Sequence, residues 1–526
     1  MTSMSAQSPA PEPSPAPPAA ASRWTSGPAI VAYLSLATLL LHLRVAGRYD
    51  FFRDELYYIA CSKHLAFGYV DQPPLIAVVV WLTRHILGNS LLALRVPAAL
   101  AGAALVWLTG RITRELGGSR FAQVLAAVCV LVAPIYLVMS YLMTMNAFEP
   151  LFWMGCAWVV IRIINTGDQR LWLLFGALAG VGLENKYSIA VFGLGIVVGL
   201  LLGDERRQFR TEWIWLGGAL ALLIFLPNLV WEVANDWPFL QLMHNIHASG
   251  RDLWPGPISF FVQQFILLNL FALPVWLAGI YYFFRAPEGR PYRALGWAFA
   301  VVYLLFFVLH GKDYYLAPAY PMMFAGGAIV LDRFFHQSRR TWLRPASIAV
   351  LVAAGAFFAP LVLPILPVPT LVRYVEWFPI KPKATEKSHL AAVLPQYFSD
   401  QFGWREMTAA VAKTYWSLSP TDREQAAILG NNYGESAAID FFGPTYGLPP
   451  SIGVHQNYWL WGPRDYTGAV VIVLGDNYAS LAEKCGHVAI GATYSDPYGL
   501  EHDPVLVCYN TVENLQKIWP QLKKWD

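Results

Sequence analysis

Residues 212–231 read EWIWLGGALALLIFLPNLVW, a run whose only ionisable side chain is Glu212 at its first position. At about 1.5 Å per residue, a helix of this length reaches about 30 Å, the thickness of a bilayer hydrocarbon core. Runs of the same kind recur near 29–46, 91–110, 121–141, 148–164, 170–184, 187–203, 258–284, 294–310, 317–335 and 345–366. With 212–231 they make about eleven predicted spans. The run at 74–88 is interrupted by Arg84 and His85 and reads as a helix lying at the interface. Composition agrees: the 526 residues are 56% hydrophobic and only 13% charged, where a water-soluble chain has about 25% charged residues. A net charge of +3, dispersed along the chain, gives no footprint for nucleic acid.

The flanks differ from this middle. Residues 1–28 are rich in Pro, Ala and Ser without periodicity and are expected to be a disordered N-terminal segment. The run from Ala29 lacks a small-residue cleavage site before Arg48 and reads as a retained helix, with a signal peptide as the weaker alternative. Arg and Lys crowd alternate connections, at Arg111, Arg114 and Arg120, at Arg206, Arg207 and Arg210, at Arg285, Arg290 and Arg293, and at Arg333, Arg339 and Arg340. By the positive-inside rule these connections and the N-terminus are cytoplasmic, and an odd number of spans puts residues 370–526 outside. That tail is more charged and carries β-like runs at 426–430, 469–475, 488–494 and 505–509, with helical stretches near 387–394, 402–417 and 434–441. It is predicted to be a small extracytoplasmic α/β domain, after a transmembrane domain over 29–369. No internal repeat of fixed period is visible.

The polar residues gather in the outer connections. The first reads GRYDFFRDELYYIACSKHLAFGYVDQPPL over 47–75 and places Asp54 and Glu55 side by side among aromatics. Adjacent acids at a membrane interface are costly unless water, a cation or a substrate meets them. The plain alternative is a solvated turn. A further acid, Glu149, falls near the outer end of the fourth span, and Lys186 interrupts an apolar stretch with Glu184 as a possible ion-pair partner. Lys312, Tyr314 and Tyr315 stand together in a late outer loop and Arg251 in another, where long cationic side chains can also simply snorkel to water.

Taken in order, DELYY (54–58), GYVDQPPL (68–75), NAFEPLFW (146–153), ENKYS (184–188) and GKDYYLAPAYP (311–321) resemble the GT-C integral-membrane glycosyltransferases. The type is that of family 39, the protein O-mannosyltransferase and lipid A aminoarabinose transferase group. The likeness covers the succession of spans over about 29–366 and an outer C-terminal domain. It implies transfer of a sugar from a polyprenyl-phosphate-linked donor to a hydroxyl on a lipid, glycan or protein acceptor, at the outer face of a bacterial inner membrane and amid membrane lipids. It also implies a catalytic base at Asp54, with Glu55 as its neighbour and Glu149 as a second acid near the acceptor. A carboxylate can take the proton of the attacking hydroxyl, and Asp54 is expected to titrate near its reference value of about 3.9, kept ionised by Arg53. The departing phosphate needs cations and donors, for which Lys312 and Tyr315, with Arg251 and Lys186, are the candidates.

Where some relatives follow the acid of GYVDQPPL with a basic residue, this chain has Gln72. Asp71 with His247, and His244 nearby, would suit a divalent metal such as zinc, manganese or magnesium; the bland reading is histidines on a wet loop. Cys485 and Cys508, two of five cysteines, flank a loop in the tail and are predicted to form a disulfide if that tail is outside, worth on the order of 3 kcal/mol in the chain-entropy model. The competing class is a membrane transporter or channel with an outer binding domain. It is disfavoured because the polar residues lie in outer loops and not at mid-span.

Overall fold

The computed structural model describes residues 23–254, 256–378, 386–500 and 504–526. Most of the expected disordered segment, residues 1–22, lies outside the described residues; Arg23–Thr25 form a single helical turn and the first long helix begins at Gly27.

All eleven apolar runs are helical, yet they are not eleven equal spans. Among the described residues, seven helices are long and apolar enough to cross a membrane, or up to nine if each of two bent pairs counts as one span. Arg120–Val132 and Pro134–Tyr141 meet at 63°. Pro134 has no N–H to continue the helix and biases Ala133 to an extended conformation, which it adopts. Pro257–Leu267 and Leu270–Phe284 meet at 95°. There Asn269 sits at φ 72° and its side-chain amide donates to the Leu351 carbonyl at 3.2 Å. Leu171–Leu183 and Ile189–Leu202 have only 13 and 14 residues, short of a straight crossing of the core. The ENKYS residues form the turn between them.

Small residues bring these helices together. A Cβ on Gly176 would strike the carbonyl of Gly217, and one on Gly327 that of Val275, so these backbones touch. Leu216, Leu222, Leu223, Leu226 and Val230 of Glu212–Ala234 are exposed on the outer surface, as lipid contact requires. At one end of the bundle the basic connections pair with acids: Arg111 and Arg162 with Glu115, Arg290 with Asp204, Arg344 with Asp332. The opposite end carries the helix Arg53–Lys63 and the C-terminal domain.

That domain is built on a five-stranded sheet of β1 (Ala426–Gly430), β2 (Ile452–Gly453), β3 (Val470–Val473), β4 (Cys485–Thr493) and β5 (Pro504–Thr511), in the order β2-β1-β3-β5-β4. The first three run parallel; β5 is antiparallel to both β3 and β4. Alternation along β3 sends Val471 and Val473 to one face with Trp519, and Val470 and Ile472 to the other. The second face, with the helix Trp404–Ser417, shares one continuous core with Leu56, Tyr57 and Ile59 of the helix Arg53–Lys63. Cys485 and Cys508 are joined by a disulfide between the neighbouring strands β4 and β5. The helix expected over 387–394 is only the turn Lys387–His389. Its backbone is held otherwise, by Lys387 N donating to the Arg251 carbonyl (3.2 Å) and the His389 ring bonding Asp400 (2.8 Å).

The two halves are tied by a buried pair. Arg95 and Glu55 are both 0% exposed. Arg95 Nε and Nη2 each donate to the Glu55 carboxylate at 2.8 Å. Arg95 also reaches the carbonyls of Ala46 and Asp50, the Tyr141 hydroxyl and the Gln401 side chain. Glu55 accepts in addition from the backbone N–H groups of Phe52 and Met143, both at 2.9 Å. Removing the charge from one partner strands the other, so Glu55→Gln is expected to destabilise the protein by about 3–5 kcal/mol, read as a lowered unfolding midpoint in detergent. An unchanged midpoint would show that the pair does not hold the fold.

Candidate functional site

The helix Arg53–Lys63 lies where the bundle meets the outer domain, and its first turn faces a cavity of about 290 Å³. The two helix breaks shape that cavity. Ile135, Val138, Met139 and Leu142 follow the Pro134 bend, Ile266 and Leu267 precede the Asn269 bend, and with Leu361, Val362 and Phe378 they make an apolar wall. Arg53, Asp54, Lys312, Tyr314 and Glu386 line the polar end. The cavity is thus charged at one end and apolar at the other.

At the polar end, Arg53 Nη2 stands 3.7 Å from both Glu386 and Asp400. Lys312 Nζ is 3.3 Å from Asp252 and 3.5 Å from Glu386. Glu386 therefore lies between two cations. Burial would push its pKa up, but Arg53, Lys312, Arg251 and His389 outweigh that and hold it at about 2. Asp54 differs from expectation. Burial is the largest influence on it and raises its pKa above the usual value, opposed by Arg53 (Nε to Oδ1, 3.7 Å) and by the Tyr433 hydroxyl, which donates to Oδ1 at 2.8 Å. A carboxylate so placed is a stronger base than one in water.

The other candidate residues separate into three groups. Glu55 does not face the cavity: it is fully buried behind Asp54 with four donors on its carboxylate, so its place is to fix the helix that carries Asp54. Glu149 and Lys186 form an ion pair at 2.9 Å, so the partner of Lys186 is Glu149 and not Glu184. The Ser188 hydroxyl also donates to Glu149, and Lys186 donates to Asn146 at 2.8 Å and stands 4.7 Å over the Tyr315 ring. Asn146 and Tyr314 line the cavity, which puts this pair at its margin. Arg251 is outside the lining; its guanidinium donates to the Asp526 carbonyl at 2.6 Å and lies 3.5 Å from Asp252.

A metal finds no fit in the set proposed for it. Asp71 accepts from the Tyr57 hydroxyl at 3.0 Å, and burial raises its pKa to about 7. His247, like His244, is exposed on the helix Pro238–Ser249. Among the described residues no three His, Cys, Asp or Glu side chains group as metal ligands, so the Asp71–His247 pairing lacks a third donor.

Sequence reading missed the outer-domain contributions. Glu386 and Tyr433 come from segments to which no role was given, and nothing local announces them; NNYGES carries only the signature of a capped helix start. Arg53 was visible as a neighbouring cation, but its alliance with Glu386 and Asp400 depends on tertiary structure.

The fold, a bundle of apolar helices bearing a small C-terminal α/β domain, has counterparts among solved structures, and one stretch of the chain matches a glycosyltransferase profile. Residues 71–231 match the profile of the dolichyl-phosphate-mannose-protein mannosyltransferase family. The lipopolysaccharide core galacturonosyltransferase RgtA of Rhizobium johnstonii is 28% identical over 219 residues, which cover 40% of this chain and 42% of that protein. The match thus spans about two fifths of that curated relative. The crystal structure of ArnT from Cupriavidus metallidurans bound to undecaprenyl phosphate superposes with a TM-score of 0.62 at 16% identity, covering 93% of this chain and 98% of that one. Its apo structure gives 0.60, at 16% identity, covering 91% and 97%.

Proposed function

We propose that the protein transfers a sugar from a polyprenyl-phosphate carrier to an acceptor hydroxyl, with Asp54 as general base and inversion at the anomeric carbon. The observation that carries this reading is the cavity itself, where two cations, Arg53 and Lys312, stand among the carboxylates of Asp54 and Glu386 at one end and the other end is walled mainly by apolar side chains. Likeness in fold to a protein crystallised with undecaprenyl phosphate supports such a carrier, and partial likeness to a galacturonosyltransferase supports sugar transfer to an envelope glycan or lipid.

In this mechanism the acceptor oxygen attacks the anomeric carbon from the face opposite the phosphate. The new carbon–oxygen bond forms as the bond to the phosphate oxygen breaks, and the acceptor proton passes to Asp54. Polyprenyl phosphate departs as an anion, so no general acid is required, in contrast to a glycoside hydrolase with two carboxylates. Arg53 and Lys312 meet the growing phosphate charge in a site poor in water, where such contacts are strongest. A phosphate seated there would take the position Glu386 holds between the two cations.

The transporter alternative loses ground because the polar groups collect at one end of the bundle, under the outer domain. In orientation, we place the N-terminus and the Arg207 loop in the cytoplasm and the C-terminal domain outside a bacterial inner membrane, in keeping with the disulfide. A reporter fused after Asp526 should be active only outside; activity only in the cytoplasm would reverse the topology.

Two variants test the chemistry, with labelled undecaprenyl-phosphate-linked galacturonic acid as the first donor. Asp54→Asn keeps size and removes basicity, and should lower transfer by about 100- to 10,000-fold while undecaprenyl phosphate still binds. Near wild-type transfer, or a product of retained configuration, would reject the base. Lys312→Ala should weaken binding of undecaprenyl phosphate by about tenfold or more, as loss of a charge-assisted contact does. Unchanged binding would put the phosphate elsewhere.

A further inference from the structure

The outer domain reaches the base directly. Tyr433 is the first residue of the helix Tyr433–Phe442, whose start is fixed by reciprocal bonds: the Asn432 side chain accepts from Glu435 N–H (3.0 Å), and the Glu435 carboxylate accepts from the N–H groups of Asn432 (3.1 Å) and Asn431 (2.7 Å). The ring is clamped on its faces. Tyr57 lies 4.6 Å away between centroids and His455 5.2 Å away at 16°, and the Arg53 guanidinium stands 5.3 Å from the ring centre. The backbone N–H of Tyr433 donates to His455 Nδ1 at 3.2 Å, so that ring carries its proton on Nε2, which donates to the Asp526 carbonyl at 3.1 Å. Burial lowers His455 to about 3, which keeps it neutral and able to accept. With its faces and backbone fixed, Tyr433 has its hydroxyl on Asp54 Oδ1.

We propose that Tyr433, supplied by the C-terminal domain, is a positioning residue for Asp54: its hydroxyl occupies Oδ1, orients the carboxylate so that Oδ2 is turned to the acceptor, and favours the ionised form. The inference rests on the reading of Asp54 as base and gives the outer domain a part in transfer. The charged and titratable groups that face Asp54 are Arg53 on its own helix, Tyr58 one turn on, Asp71 across the loop, Glu386 and Asp400 from the segment leading into the outer domain, and Tyr433 itself. Arg53 and the Tyr433 hydroxyl oppose the burial of the carboxylate, while Asp400 and Glu386 add to it. Burial holds Tyr433 well above the ordinary phenol value, so it remains a donor across the useful pH range. Loss of a hydrogen bond to the charged form raises a carboxyl pKa.

The test uses the full-length protein in lipid nanodiscs and needs no sugar donor. The carboxyl band of Asp54 is followed by infrared titration, with Asp54→Asn as the subtraction blank. Tyr433→Phe keeps the stacked ring and removes the hydroxyl; the Asp54 midpoint should move up by about 1–2 pH units, a 10- to 100-fold change in its ionisation equilibrium. Replacing Tyr433 by 3,5-difluorotyrosine, a better donor of the same shape, should move it down, and this variant serves also if the phenylalanine variant fails to fold. A midpoint unmoved in the difluorotyrosine protein, or unmoved in a folded Tyr433→Phe protein, would overturn the proposal. If Asp54→Asn kept its transfer activity, the base assignment would fall while the titration result would still stand.

Discussion

The guanidinium of Arg95 and the carboxylate of Glu55 meet where no water reaches, and around them five separate pieces of chain are held in register. Arg95 comes from the long helix Leu91–Glu115 and Glu55 from the short helix that carries Asp54; Ala46 and Asp50 from the first connection, Tyr141 from the bent pair and Gln401 from the outer domain complete the shell. Burying two charges is costly, and the cost is met only because nearly every lone pair and N–H finds a partner. The adjacent pair of acids thus divides its labour. Glu55 turns inward and fixes the helix, so Asp54, one residue earlier, must face the cavity.

The cavity in turn depends on helices that fail to run straight. Pro134 and Asn269 each break a hydrophobic run, and the walls they open are lined by Leu, Ile, Val and Met. An unbroken bundle would pack those side chains against one another. The breaks leave a slot beside the polar groups, and the chemical contrast across about 290 Å³ is what gives the site its character.

Much of this was legible in the sequence, and for a physical reason: hydrophobic length and Arg placement are local properties that a membrane imposes directly. The helical character of the eleven runs, the α/β tail and the Cys485–Cys508 bond could be read from the sequence, whereas the structure has seven to nine candidate spans among the described residues where about eleven were expected. What could not be read depended on distance in the chain. Glu149 and Lys186 are each visible as lone charges in apolar surroundings, but only the fold pairs them. Glu55 and Asp54 look equivalent as neighbours, and burial alone tells them apart. Asp71 and His247 suggested a metal by residue type, whereas one is bonded to Tyr57 and the other lies exposed. Tyr433 and Glu386 carry no signal of their own, since an aromatic or an acid in a polar domain is the commonest of observations. The strand Ile452–Gly453 was too short to have a period.

The core shared between the helix Arg53–Lys63 and the sheet face of Val470 and Ile472 bears on how such proteins can be recombined. A domain that carries its own closed core can be moved between scaffolds as a unit. Here the cut between the membrane-spanning part and the outer part would pass through packed side chains, exposing Leu56, Tyr57 and Ile59 on one fragment and Met407, Val411 and Ile428 on the other. Chimeras that exchange outer domains among distant homologues would need the helix at 53–63 to travel with the sheet. That helix carries Asp54, so the sheet and the carboxylate at the cavity would be inherited together.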